Sequence, residues 1–206
     1  ADHDHDEHAD HDHEEHADHD DHDHDHEHVV DEHVWLSLEN AKLLVATIEK
    51  ALGSVDAENA ALYQKNAQEY IAKLAKLDEQ YEEAADSAKH KHIVFGDRFP
   101  FRYLADDYDI EYHAAFVGCS AETEASFETV AFLANKVDEL GVPAVLTIEK
   151  SNQKIAKTII ENTESKNQEI KVMNSLQSVT SADIESGVSY LSVMEQNLEV
   201  LKQVLN

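Results

Sequence analysis

A chain of 206 residues with a formal net charge of −28 and one cysteine has room for one or two domains. It can form no internal disulfide. Its acidity argues against nucleic acid as a partner, because that affinity rests on basic patches, and makes cations the natural partners. No apolar run approaches the ~18 residues of a membrane span, and no secretory signal is visible. The chain starts at Ala1, inside a low-complexity stretch, and reads as a processed product or a fragment whose upstream part is missing.

Residues 1–28 contain eleven His, fourteen Asp or Glu, three Ala and nothing else. Low hydrophobicity with high charge predicts a disordered tract. The histidines are His3, His5, His8, His11, His13, His16, His19, His22, His24, His26 and His28, mostly in His-x-His or His-x-x-His spacing. Neutral imidazole is the commonest protein ligand for zinc, copper and nickel, and carboxylates can complete a shell. A flexible tract of this kind predicts several degenerate, fast-exchanging metal sites rather than one built site. An affinity tag is usually pure His, so the interleaved acids favour metal gathering over a tag or a spacer.

Residues 29–36 (VVDEHVWL) suit either a strand or an ordered approach to a helix. Ser37 is an N-cap with Glu39 in the first turn, and Leu43, Leu44, Ile48 and Leu52 follow at helical spacing until Gly53. Asp56 caps the next helix. Ala60, Tyr63, Ala67, Tyr70, Leu74, Leu77 and Tyr81 step by threes and fours with no Gly or Pro from about 57 to 85. At ~1.5 Å per residue this helix is roughly 43 Å long, more than one small domain needs, and fits a strut between two lobes.

Strand and helix patterns then alternate. Strands are expected at His92–Phe95, Ile110–Val117, Ala144–Ile148 and Ile170–Met173. Helices are expected over Phe99–Asp107, after Ser120, after Ser151 and after Ser181. This order predicts an α/β lobe with a four-stranded parallel sheet flanked by helices. In such sheets ligands bind beyond the carboxyl ends of the strands, which here offer Gly96-Asp97, Gly118-Cys119-Ser120 and Glu149.

His33, beside apolar residues and just past the tract, is either structural or a metal ligand. Asp97 is a helix cap, a partner for Arg98 or a ligand. Glu149 ends a strand, where a carboxylate faces the cleft. Glu122 and Glu124 fall in a helix first turn, where the dipole favours acids anyway. His113, with Glu111 on the same strand face, reads first as a satisfied histidine and second as a ligand. His90 and His92 read as solvated. Cys119 precedes a helix N-terminus, which lowers a thiol pKa, yet no base stands at a meaningful spacing. There is no phosphate loop, HExxH, CxxC or GxSxG. An enzyme is therefore not expected.

The order of motifs is more specific than any one of them. An acidic His-rich stretch precedes Asp31, His33, Trp35, Leu36 and Ser37. A long helix follows, then VFGDRFPFRYLADDYDIEY, and the chain closes with SYLSVMEQNLEVLK. This order resembles the zinc-type solute-binding proteins of ABC importers, whose two lobes are joined by one rigid helix. The resemblance covers the latter part of such a protein, without most of the first lobe. It implies 1–28 as the metal-gathering tract, 29–55 as a remnant of the first lobe, 56–88 as the inter-lobe helix and 89–206 as the second lobe.

The resemblance further implies a monomer that captures a divalent metal outside the cytoplasmic membrane and delivers it to a permease. Zinc is the expected ion, with manganese, nickel and copper as alternatives. A lipid anchor upstream of this chain would keep it peripheral to the membrane. One of the family's ligand histidines falls on His33, and an acidic ligand of some members falls on Glu149. A third ligand falls on Arg98, or on Gly96 with a short slip, and neither can bind metal. Asp97 is the nearest substitute, with Glu122 and His113 as outside candidates. Leu38 stands where the family usually has Pro. The competing expectation is a metal sink in which the tract does the work and the folded part is a carrier.

Overall fold

The computed structural model describes residues 31–118 and 124–206. The tract, Cys119, Ser120 and Glu122 lie outside the described residues. Residues 31–206 group as one unit by contacts.

Asp31–His33 lead irregularly into a 3₁₀ turn at Val34–Leu36. The Ser37 side chain accepts from the Asn40 N–H and caps α1, Leu38–Val55, as the sequence predicts. The helix runs through Gly53 and ends two residues later, because Gly53 is placed against Ala60, at 3.5 Å from an added Cβ, where the chain doubles back. A 3₁₀ turn at Ala57–Asn59 leads into α2, Ala60–Asp86. Its 27 residues span about 40 Å. All its fully buried residues lie in its second part: Leu74, Leu77, Asp78, Tyr81, Ala84 and Ala85. The first part runs out beside α1, whose Leu43, Ile48 and Val55 are exposed.

The rest is β1 (His92–Phe99), α3 (Arg102–Asp107), β2 (Glu111–Val117), α4 (Phe127–Leu140), β3 (Ala144–Ile148), α5 (Lys154–Glu161), β4 (Glu169–Met173), α6 (Ser181–Glu185) and α7 (Tyr190–Val204). The strands form one parallel sheet, as expected, and their order is β2-β1-β3-β4. Successive strand side chains point to opposite faces. Ile93, Phe95, Ala144, Leu146 and Met173 join the core with α2 and α7, whereas Val94 and Val145 face α4 and α5. Both faces are covered, so the strands read as continuous apolar runs rather than alternating ones.

Several boundaries differ from the sequence expectation, each for a local reason. β1 continues to Phe99 and shortens the helix expected from that residue, because Arg98 and Phe99 pair with Phe116 and Val117 across a register shift. The cap of α4 is Ser126, whose side chain accepts from Thr129 N. Gln153, at φ +60°, precedes α5, and Ser151 instead accepts the Gln153 N–H two residues earlier. The single last helix is two, because Gly187 at φ +92° breaks it and Thr180 and Ser189 each build their own capping box.

Gly96 is required where it stands. A Cβ there would lie 2.5 Å from the Ala156 backbone of α5. Gly96→Ala therefore has to push α5 off the sheet, and overpacking of this kind costs about 1–3 kcal/mol. Urea denaturation should show the midpoint falling with the slope unchanged.

Candidate metal centre

His33 is 2% exposed, in a segment that precedes the long helix yet packs on the far end of the chain. Asp31 holds it locally. The Asp31 carboxylate accepts both the His33 backbone N–H at 2.9 Å and the ring Nδ1–H at 2.6 Å. An ionised carboxylate only accepts, so Nδ1 carries the hydrogen and Nε2 carries the ring's lone pair. A carboxylate behind an imidazole fixes its tautomer and orientation, the usual second layer of a metal site. The ring packs edge-on against Trp35 at 5.3 Å.

The segment is fastened at three more points. Trp35 Nε1–H donates to the Ser175 carbonyl at 3.0 Å. Tyr190 O–H donates to the Trp35 carbonyl at 2.6 Å, and Tyr103 O–H to the Asp31 carbonyl at 3.0 Å. Gln177 closes the set, its Nε2 lying 2.6 Å from His33 Nε2.

Gln177 also lines a polar cleft of about 310 Å³ at the carboxyl ends of β1 and β3, together with Asp97, Arg98, Glu149, Lys150 and Ser175. Two predicted acids thus share this cleft. Asp97 sits in the register shift between Phe95 and Arg98, where β1 carries one extra residue against β2; such bulges re-aim a side chain. Its carboxylate accepts the Arg98 N–H at 2.8 Å and the Ser151 hydroxyl. Glu149 accepts the Ser175 N–H and hydroxyl, both at 2.8 Å. Each carboxylate therefore already has a structural task, which the sequence did not disclose.

The described residues contain no group of three or more His, Cys, Asp or Glu positioned to hold a metal ion. His33, Asp97 and Glu149 are not assembled into one shell by these residues alone. Arg98 lines the cleft and Gly96 lies beneath it against α5, which accounts for two non-ligating residues where the resemblance expects a donor. Glu122 and Cys119 lie outside the described residues. His113 is elsewhere: it pairs in register with Val94 and its ring meets Phe132 of α4 at 5.8 Å.

Sequence reasoning missed Ser175 and Gln177, which lie more than 140 residues from His33 and carry no motif. The role of Asp31 was legible only as the Asp-x-His spacing.

Burial holds the His113 imidazole below its ordinary value, and Lys136 and His92 push the same way. His90 is lowered by burial, then by His92. The unfolded chain therefore binds more protons than the folded one once the pH falls to about 6.5, and stability is lost as the pH drops through that value. Urea midpoints at about pH 7.5 and pH 5.5 should differ less in His113→Asn than in the wild type. Glu149→Gln should lose about 1–2 kcal/mol in chelator-containing buffer, because one charge-assisted bond to Ser175 goes. A purely ligating Glu149 would leave metal-free stability unchanged.

The family model described as the periplasmic component A of the zinc-uptake complex (ZnuA) matches residues 2–204. The chain is 36% identical over 178 residues to the zinc-binding lipoprotein AdcA of Streptococcus pneumoniae R6, covering 86% of this chain and 34% of that protein. It is 33% identical to the high-affinity zinc uptake system protein ZnuA of Bacillus subtilis 168, covering 86% and 54%. Among solved structures, the Zn(II)-bound ZnuA-like domain of S. pneumoniae AdcA aligns with TM-score 0.68 and 35% identity over 85% of this chain and 64% of that one. The metal-dependent lipoprotein YcdH of B. subtilis aligns with TM-score 0.72 and 31% identity, over 85% and 65%. The chain thus spans between a third and just over half of the two relatives' sequences, and its fold is theirs over that span. It belongs to the family of the periplasmic component A of zinc-uptake complexes.

Proposed function

We propose that this chain captures a divalent metal ion, zinc first, outside the cytoplasmic membrane and delivers it to the permease of an ABC importer. Family membership supports the reading, and one observation carries it: a buried imidazole whose Nδ1 is committed to Asp31 and whose Nε2 is turned toward a residue of the cleft. His33 Nε2 is the nitrogen ligand. Asp97 and Glu149 supply oxygens once they release Ser151 and Ser175. A further His from a preceding lobe completes a shell that zinc commonly fills with four ligands. Manganese, nickel and copper compete for the same donors, and copper leads on affinity alone.

In this reading 56–88, which contains α2, is the inter-lobe segment, with 29–55 belonging to the first lobe and 89–206 forming the second. The lipoprotein relatives support placement outside the cytoplasmic membrane, and the reading takes the chain as a monomer peripheral to that membrane. Among the described residues no helix is long and apolar enough to cross a membrane. The tract over 1–28 raises the local metal concentration and hands ions on, by effective-concentration logic. No enzymatic step is assigned to Cys119.

The composition of 1–28, eleven His among 28 residues, favours a second reading, a metal sink. Calorimetric zinc titration of the full chain and of a form lacking 1–28 separates the two. The receptor reading expects one His33-dependent ion to survive the deletion, held more tightly once a preceding lobe supplies the further His, and the sink reading expects all binding to leave with the tract. In the form lacking 1–28, His33→Ala should weaken that ion by more than the ~10–100-fold typical of outer-layer changes, and Asp31→Ala by about that amount. Equal affinity for wild type and His33→Ala would remove His33 from the site.

A further inference from the structure

Gln177 links His33 to the cleft, and its chemistry differs from that of the carboxylates around it. Because Asp31 takes the Nδ1 hydrogen, His33 Nε2 presents a lone pair. The Gln177 amide nitrogen stands 2.6 Å from it, so an amide N–H points into that lone pair. A metal ion would use the same lone pair. The nitrogen cannot serve both.

The loop that carries Gln177 is held in place. Ser175 is fixed by Glu149 and by Trp35. Asn197, almost fully buried, donates to the Asn174 carbonyl and accepts the Asn174 N–H. The Asn174 side chain accepts the Leu176 N–H, and Leu176 takes φ +63°, a left-handed conformation that a non-glycine residue adopts only where its surroundings hold it. A left-handed residue directly before Gln177, kept by three layers of hydrogen bonds, sets the direction in which its side chain leaves the loop. The amide is thus delivered to His33 by the fold.

Resting on the reading that His33 ligates metal, we infer that Gln177 is an internal cap on the His33 ligand nitrogen, an affinity-setting residue that an incoming dication has to displace. A cap and a ligand act with opposite sign. Removing a ligand weakens binding, and by a factor that differs between ions. Removing a cap strengthens it, by one factor for every ion that uses that nitrogen. A hydrogen bond of this kind sets the factor at roughly 2–10-fold. Gln177 is exposed, so its replacement leaves the core intact.

The test uses the full chain in zinc buffered by a competing chelator. The His33-dependent component is the difference between each protein and its His33→Ala counterpart. Gln177→Ala and the near-isosteric Gln177→Leu should both raise the affinity of that component by roughly 2–10-fold, and by the same factor for zinc and for nickel. A component that appears only in the Gln177 variants supports the cap as well. A wild-type component that both variants leave unchanged or weaken overturns the cap and leaves the metal-capture reading standing. No His33-dependent component in any of the proteins overturns both.

Discussion

The stretch Asp31–Ser37 is tied down from outside itself, and the candidate site depends on that. Its own secondary structure is one 3₁₀ turn, which cannot fix a side chain. Position comes from Trp35 to Ser175, Tyr190 to Trp35, Tyr103 to Asp31 and Gln177 beside His33, across separations of 72 to 155 residues. Buried polar groups have to be satisfied, and here satisfying them also locks His33 to the sheet's carboxyl edge. A side chain held by distant partners keeps its geometry only while the whole lobe is folded.

The same economy runs through α2. Tyr81 is buried and donates to the Met194 carbonyl on α7, while Tyr108 donates to Asp78 of the same helix and stacks on Tyr81 at 5.2 Å. Burial and the hydrogen bond to Asp78 keep the Tyr108 phenol far above its ordinary value, hence neutral and donating. Lys42 of α1 closes the other Asp78 oxygen at 2.9 Å. The second part of the long helix is thereby joined to the lobe and to α1 at once.

The cleft shows how one residue can serve two ends. Gly96 admits α5 to the sheet, the extra residue beside it re-aims Asp97, and Asp97 then fixes Ser151 at the approach to α5. Arg98 follows directly and faces the cleft with a cation. Packing and local charge at the strand end are set by three consecutive residues.

The sequence by itself determined the elements and their order. Short apolar runs alternating with helical patterns mark the four strands, threes-and-fours spacing marks α2, and Ser37 with Glu39 marks α1, because these signals are local and act over a few residues. It also marked His33, Asp97 and Glu149 as candidates, since the capacity to hold a metal is a property of residue type. Only the tertiary structure decided what those groups touch. Ser175, Gln177 and the tasks of the two carboxylates arise from contacts between segments far apart in the chain, and nothing local distinguishes a glutamine that meets a histidine from one that meets water. Cap positions shifted for the same reason: Ser151 had a distant carboxylate to bind, and that contact outweighed its own propensity to start a helix.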